Sequence, residues 1–116
     1  MPASEHQTHL NAAITCATVC EHCSQMCLEE GHTLSAKTTR DCAEICWMTA
    51  AFLARDGTAV SSLSRLCAEV CDICAQACEA HDSDHHRQCV DACRACAKAC
   101  RDIDSVTPRT PSGERL

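Results

Sequence analysis

The chain has 116 residues, enough for one modest hydrophobic core, and a formal net charge of −6. Only two side chains are aromatic, Trp47 and Phe52, and no Lys/Arg cluster exists, which argues against a nucleic-acid partner; no apolar run reaches the roughly 18 residues of a membrane span. Fourteen residues are cysteine while Leu, Ile, Val and Phe together number 17, so thiols must supply much of the interior.

Residues 1–15 carry neither a basic n-region nor an apolar h-region. No export signal is visible, and the expected compartment is the reducing cytoplasm, where thiols stay free for metal or redox work. Ser4 followed by Gln7 resembles a capping box, which predicts a first helix over about 7–30 that stops at Gly31. Inside it, CATVCEHCSQMC (16–27) sets Cys16, Cys20, Cys23 and Cys27 at spacings of 4, 3 and 4. At 3.6 residues per turn those four fall within an arc of roughly 60° on one helix face, whereas a strand would scatter them over both faces. The intervening Ala, Glu and Gln favour helix.

A second helix is expected to start at Ser35 or Thr38 and to end near residue 55, before Asp56 and Gly57. Its run CAEICWMTAAFL (42–53) keeps Cys42 and Cys46 and puts Thr49 and Leu53 where further thiols would fall. Trp47 and Phe52 are expected to pack between helices or against another subunit, and Met26 and Met48 to serve packing. Ser61 or Ser62 caps a third helix reaching about residue 80, with CAEVCDICAQAC (67–78) supplying Cys67, Cys71, Cys74 and Cys78. After a turn at 82–84, a fourth helix over about 84–103 holds CVDACRACAKAC (89–100), with Cys89, Cys93, Cys96 and Cys100. Ala92, Ala95 and Ala99 would let helices approach closely. Residues 1–106 read as a single domain, and the segment 107–116, with Pro108, Pro111 and Gly113, as a mobile tail. The first and third cysteine runs agree at seven of twelve positions, suggesting a duplicated helical hairpin.

The fold class is therefore all-α: an up-down-up-down antiparallel four-helix bundle whose cysteine stripes occupy the a and d seam and face a shared axis. One end of such a bundle collects His32, His81, His85 and His86, an expected mouth through which metal enters. The other collects Leu53, Leu63, Ile103 and Ala13 or Ile14, an expected apolar plug. His22 reads as a surface residue, and His6 and His9, on the plugged side, are assigned no role.

Thiolates are soft ligands that select Cu(I), Zn(II) and iron–sulfur clusters. Cysteines on neighbouring turns stand about 5–6 Å apart and can bracket an ion that accepts two or three ligands, as Cu(I) does. Zinc prefers four, into which fourteen does not divide, although a bundle could hold zinc between helices. One Cu(I) per bridging thiolate leaves a buried core neutral and releases about one proton per ion. Disulfides within one helix would close only small loops, and the spacing differs from that of bacterial ferredoxins. No inward pair of carboxylates suits acid/base catalysis, so an enzyme is not expected. A zinc or general soft-metal buffer and a thiol redox sensor are the alternatives.

The repeated CxxxCxxCxxxC helices resemble the bacterial copper storage proteins, in particular their cytosolic branch, over about residues 7–103. The resemblance implies a four-helix bundle, multiple Cu(I) ions held by inward cysteine pairs, one open polar end and assembly into homotetramers. By position it makes ligands of Cys16, Cys20, Cys23, Cys27, Cys42, Cys46, Cys67, Cys71, Cys74, Cys78, Cys89, Cys93, Cys96 and Cys100.

Overall fold

The computed structural model describes residues 3–106, and side chains over 6–102. Four helices run in chain order: α1 Ala3–Glu30, α2 Thr33–Ala54, α3 Val60–Glu79 and α4 Asp84–Val106. Each packs on its chain neighbours, and α4 closes the ring against α1, with no diagonal pairing among the described residues. Connections of two to five residues between helices of 20 or more force neighbours antiparallel, giving the expected bundle, 50 × 23 × 19 Å. The segment 107–116, expected to be a tail, lies outside the described residues.

The core is made of sulfur and methyl groups. All fourteen cysteines are buried and free of disulfides, and they form one cluster with Ala13, Ala17, Ala43, Ala68, Ala75 and Ala97. Small side chains flanking each stripe let the helices close around it. Ala92 and Ala99 take part as expected, but Ala95 is exposed.

Helix starts depart from the predicted caps. α1 begins at Ala3, so Ser4 lies in its first turn; α2 follows His32 and α3 follows Ala59, neither with a side-chain cap. Ser35 is instead buried on the inward face of α2, and the Ser61 and Ser62 hydroxyls accept from the Arg65 guanidinium. A cap contributes only about 1 kcal/mol, less than the packing of a whole inward stripe, so packing decides where these helices start. Among α2, α3 and α4, α4 alone has a side-chain cap, where Ser83 Oγ accepts the His86 backbone N–H at 3.3 Å.

Helix ends match more closely. Gly31 takes the left-handed conformation (φ +79°), with its N–H on the Leu28 carbonyl and that of His32 on Cys27. At the end of α2 the left-handed residue is Asp56 (φ 55°), not Gly57. Gly57 matters for space: a Cβ there would come 3.1 Å from the Phe52 ring.

Charge lies outside. Asp72 on α3 accepts from Arg94 and Arg101 of α4, and Arg94 also reaches Glu79. Trp47 is largely exposed and donates its indole N–H to Glu21 of α1 at 3.1 Å.

Candidate metal centre

The 4, 3, 4 spacing delivers a sulfur column along the bundle axis. Near the middle, Cys16 Sγ lies 3.7 Å from Cys93 and Cys42 Sγ lies 3.7 Å from Cys71, while Cys42 and Cys93 are 3.8 Å apart. One step along, Cys46 stands 3.8 Å from both Cys67 and Cys71 and 4.0 Å from Cys96. In the other direction Cys89 bridges layers, 3.7 Å from Cys20 and Cys74 and 3.4 Å from Cys78.

Groups able to surround one ion overlap. Cys16, Cys20, Cys42 and Cys93 form one quartet, Cys16, Cys46, Cys71 and Cys96 a second, and Cys20, Cys74, Cys89 and Cys93 a third. Cys16, Cys20 and Cys93 each belong to two of them. Such sites can fill together only if thiolates bridge ions, and the column is continuous rather than a row of separate cages.

Burial works against ionisation along the column, at Cys16, Cys42 and Cys96 as at Cys27 and Cys93. It pushes the Cys27 thiol above its ordinary range, and thiol–thiol hydrogen bonds from Cys16 and Cys20, then burial, do the same to Cys93.

The predicted histidine end is assembled as a stack. His32 and His81 rings lie 3.9 Å apart, His81 and His86 4.5 Å, and His85 and His86 4.1 Å. His32 and His81 are half-exposed, while His85 and His86 are buried. His85 Nδ1 lies 3.2 Å from Cys23 Sγ, His86 Nε2 lies 3.3 Å from Cys27 Sγ, and these four residues could share one ion. Their outer nitrogens are occupied: His85 Nε2 reaches the Glu30 carboxylate at 3.0 Å, and His86 Nδ1 the Ser83 hydroxyl at 2.6 Å. A carboxylate only accepts, so His85 carries its proton on Nε2 and turns the Nδ1 lone pair to Cys23, the arrangement a metal-binding imidazole requires; a Ser83 hydroxyl that accepts at Nδ1 gives His86 the same arrangement toward Cys27. Burial, then the neighbouring His85, lowers the His86 pKa, and the hydrogen bond from His85 lowers that of Glu30. A surface cleft of about 380 Å³, lined by Cys78, His81, Asp82 and Arg87 among others, lies against this end.

The opposite end differs from the expected plug. Leu53 and Ala13 are buried there, but Leu63 is only half-buried, Ile14 is exposed, and the Ile103 side chain lies outside the described ones. The largest fully buried side chain at this end is His9, 1% exposed, with Nε2 3.1 Å from Cys100 Sγ. Burial lowers its pKa. Assigning His9 no role missed a buried polar contact that periodicity could have found, since His9 sits seven residues before Cys16 on the same face. His22 is exposed, as expected.

On α2, Thr39 and Ser35 extend the inward stripe toward the histidines, as Thr49 and Leu53 do away from them. Thr39 and Thr49 donate their hydroxyls to backbone carbonyls of their own helix, at 2.7 and 2.8 Å.

Fold and site together define a helical bundle filled by a continuous soft-ligand column. The copper storage protein family matches residues 2–105, and the chain belongs to that family. It is 37% identical over 80 residues, 66% of this chain and 74% of the relative, to the uncharacterized cysteine-rich protein YhjQ of Bacillus subtilis (strain 168). Among solved structures it is similar to the Cu(I)-bound copper storage protein BsCsp3, at TM-score 0.83 and 32% identity, covering 86% of this chain and 98% of that one. A cytosolic copper storage protein from Streptomyces lividans, solved with five coppers, aligns at TM-score 0.82 and 30% identity over 88% of this chain and 93% of its own.

Proposed function

We propose that this chain stores Cu(I) in the cytoplasm, holding up to about one ion per cysteine through thiolates that bridge successive ions. The observation that carries the reading is the overlap of the thiol quartets, which share Cys16, Cys20 and Cys93. Isolated tetrahedral zinc sites need four thiolates each and would place two net negative charges per site in a core that buries none of the described Lys and Arg side chains. Bridged Cu(I)–thiolate pairs are neutral. The ligands are Cys16, Cys20, Cys23, Cys27, Cys42, Cys46, Cys67, Cys71, Cys74, Cys78, Cys89, Cys93, Cys96 and Cys100.

His32, His81, His85 and His86 form the mouth, the outer pair meeting the ion and the inner pair passing it to Cys23 and Cys27. The role is non-catalytic, removing free copper rather than transforming a substrate. The chain assembles as a homotetramer, for which exposed Leu34, Trp47, Met48 and Ile73 offer surface to bury.

Titration of the reduced chain with Cu(I) and with Zn(II), each against a competing chelator, tests the function. The expected result is a copper plateau near one ion per cysteine. Saturation at one or two Cu(I), or tight zinc with weak copper uptake, would overturn it.

A further inference from the structure

His9 occupies a position where burying a polar ring serves stability poorly. It lies on the inward stripe of α1, and its Nε2 faces Cys100, the last thiol of α4, at 3.1 Å. Cys67 and Cys96 are the neighbouring thiols whose charges act on both Cys100 and the His9 ring. Yet Nδ1 of His9 is buried with no hydrogen-bond partner, and so is the hydroxyl of Ser64, three residues before Cys67 on the inward stripe of α3. An apolar side chain at residue 9 would close the bundle without leaving a ring nitrogen unsatisfied. The imidazole adds one thing leucine lacks: a neutral nitrogen donor aimed at the last sulfur of the column.

We propose that His9 Nε2 is a metal ligand, closing the end of the column remote from the mouth with a mixed nitrogen–sulfur Cu(I) site shared with Cys100. This rests on the storage reading and adds a ligand to it. An ion in the middle of the column can be bridged by thiolates on either side, whereas the terminal ion has sulfur on one side only. A second thiolate there would leave the buried site negative. A neutral imidazole fills the coordination sphere without charge, so one Cu(I), one thiolate and one histidine balance. On binding, the Cys100 S–H bond breaks, its proton leaves to solvent, the sulfur binds Cu(I), and His9 coordinates through Nε2 while Nδ1 keeps its proton. Neither copper nor sulfur changes oxidation state.

The closing experiment reads His9 directly in the intact chain. With 15N-labelled histidine, the full-length protein is titrated with Cu(I) while bound copper is counted in the same samples, and the imidazole resonances are followed by NMR. His9 is assigned by loss of its signals in His9→Gln. Coordination is expected to shift the Nε2 resonance as the column fills and to hold the Nδ1–H tautomer. In parallel, His9→Gln and His9→Leu, checked for helicity and for an unchanged thiol count, are each expected to lose about one Cu(I) per chain or to yield their last ion faster to a chelator. If copper loads to the full count while the His9 nitrogens do not move, the inference is overturned and storage stands. If the chain takes up no more than one or two ions, the storage reading falls, and this site with it.

Discussion

Ser83 sets the protonation of His86. Its hydroxyl lies 2.6 Å from His86 Nδ1, and the same oxygen accepts the His86 backbone N–H. With the Ser83 hydroxyl accepting at Nδ1, the ring proton sits there and Nε2 turns its lone pair to Cys27 Sγ, 3.3 Å away. One serine thus caps α4 and aims a lone pair at the first thiols of the column. In Ser83→Ala the cap is lost, at about 1 kcal/mol of stability. Copper uptake followed by stopped-flow should slow by roughly tenfold, the scale of losing an orienting partner to a ligand. Final capacity stays the same, and a variant that loads at the parental rate contradicts the assignment.

Replacing His32, His81, His85 and His86 together should slow uptake further and leave the plateau close to the cysteine count. Rates equal to those of the parent chain would remove the mouth from this end of the bundle.

Thr49 offers a gain rather than a loss. It is 1% exposed, on the stripe of Cys42 and Cys46, and its hydroxyl donates only to the Ile45 carbonyl of its own helix. Thr49→Cys therefore breaks no contact between helices and places a further sulfur beside the column. Copper capacity should rise by about one ion per chain, with a change in melting stability under about 1 kcal/mol. An unchanged plateau would show that this end of α2 does not reach the metal.

Stability of the empty bundle should depend on histidine protonation. His9 and His86 have folded pKa values lowered from 6.5, both chiefly by burial. The folded state binds fewer protons than the unfolded one in that window. Their contribution is therefore complete above pH 6.5 and is lost as pH falls through the lowered folded values. Urea midpoints measured from about pH 7.5 down to 5 should fall. The Glu30 carboxyl is lowered from 4.5, so it adds to the loss only at more acidic pH. A His9→Leu, His86→Leu double variant should flatten the slope between pH 5 and 7; an equally steep slope would assign it to other groups.

The raised thiols make loading a proton-releasing event. In weak buffer, each Cu(I) transferred from a chelator should release about one proton, and apparent affinity should rise about tenfold per pH unit for each ion bound. Loading without proton release would mean that the empty column already holds thiolates.

Much of this was readable from spacing alone. Three complete 4, 3, 4 runs and one partial run define inward faces, and four helices with short connections leave little choice of topology; the grouping of His32, His81, His85 and His86 follows from antiparallel order. What escaped was whatever depended on competition between small local terms and packing. Ser35 and Ser61 look like caps, yet α2 begins at Thr33 with Ser35 buried on its inward face, and α3 begins at Val60 with the Ser61 hydroxyl accepting from Arg65. Asp56 and Gly57 end α2 as expected, but their division of labour, a left-handed Asp56 and a Gly57 that leaves room for the Phe52 ring, was not readable from the sequence. His9 was hidden by Ala13, which interrupts the run of polarizable side chains between it and Cys16. A histidine near a terminus is most often solvated, and only the approach of α4 places Cys100 against it.

The column also has a growth rule. Because its unit is a helical heptad carrying two inward cysteines, lengthening all four helices by seven residues would extend the bundle by about 10.5 Å and add about eight thiols. The cross-section and the histidine end would stay as they are. A larger vessel then needs no new fold and no new doorway, only more turns of the same register, so volume and filling rate are separately adjustable traits.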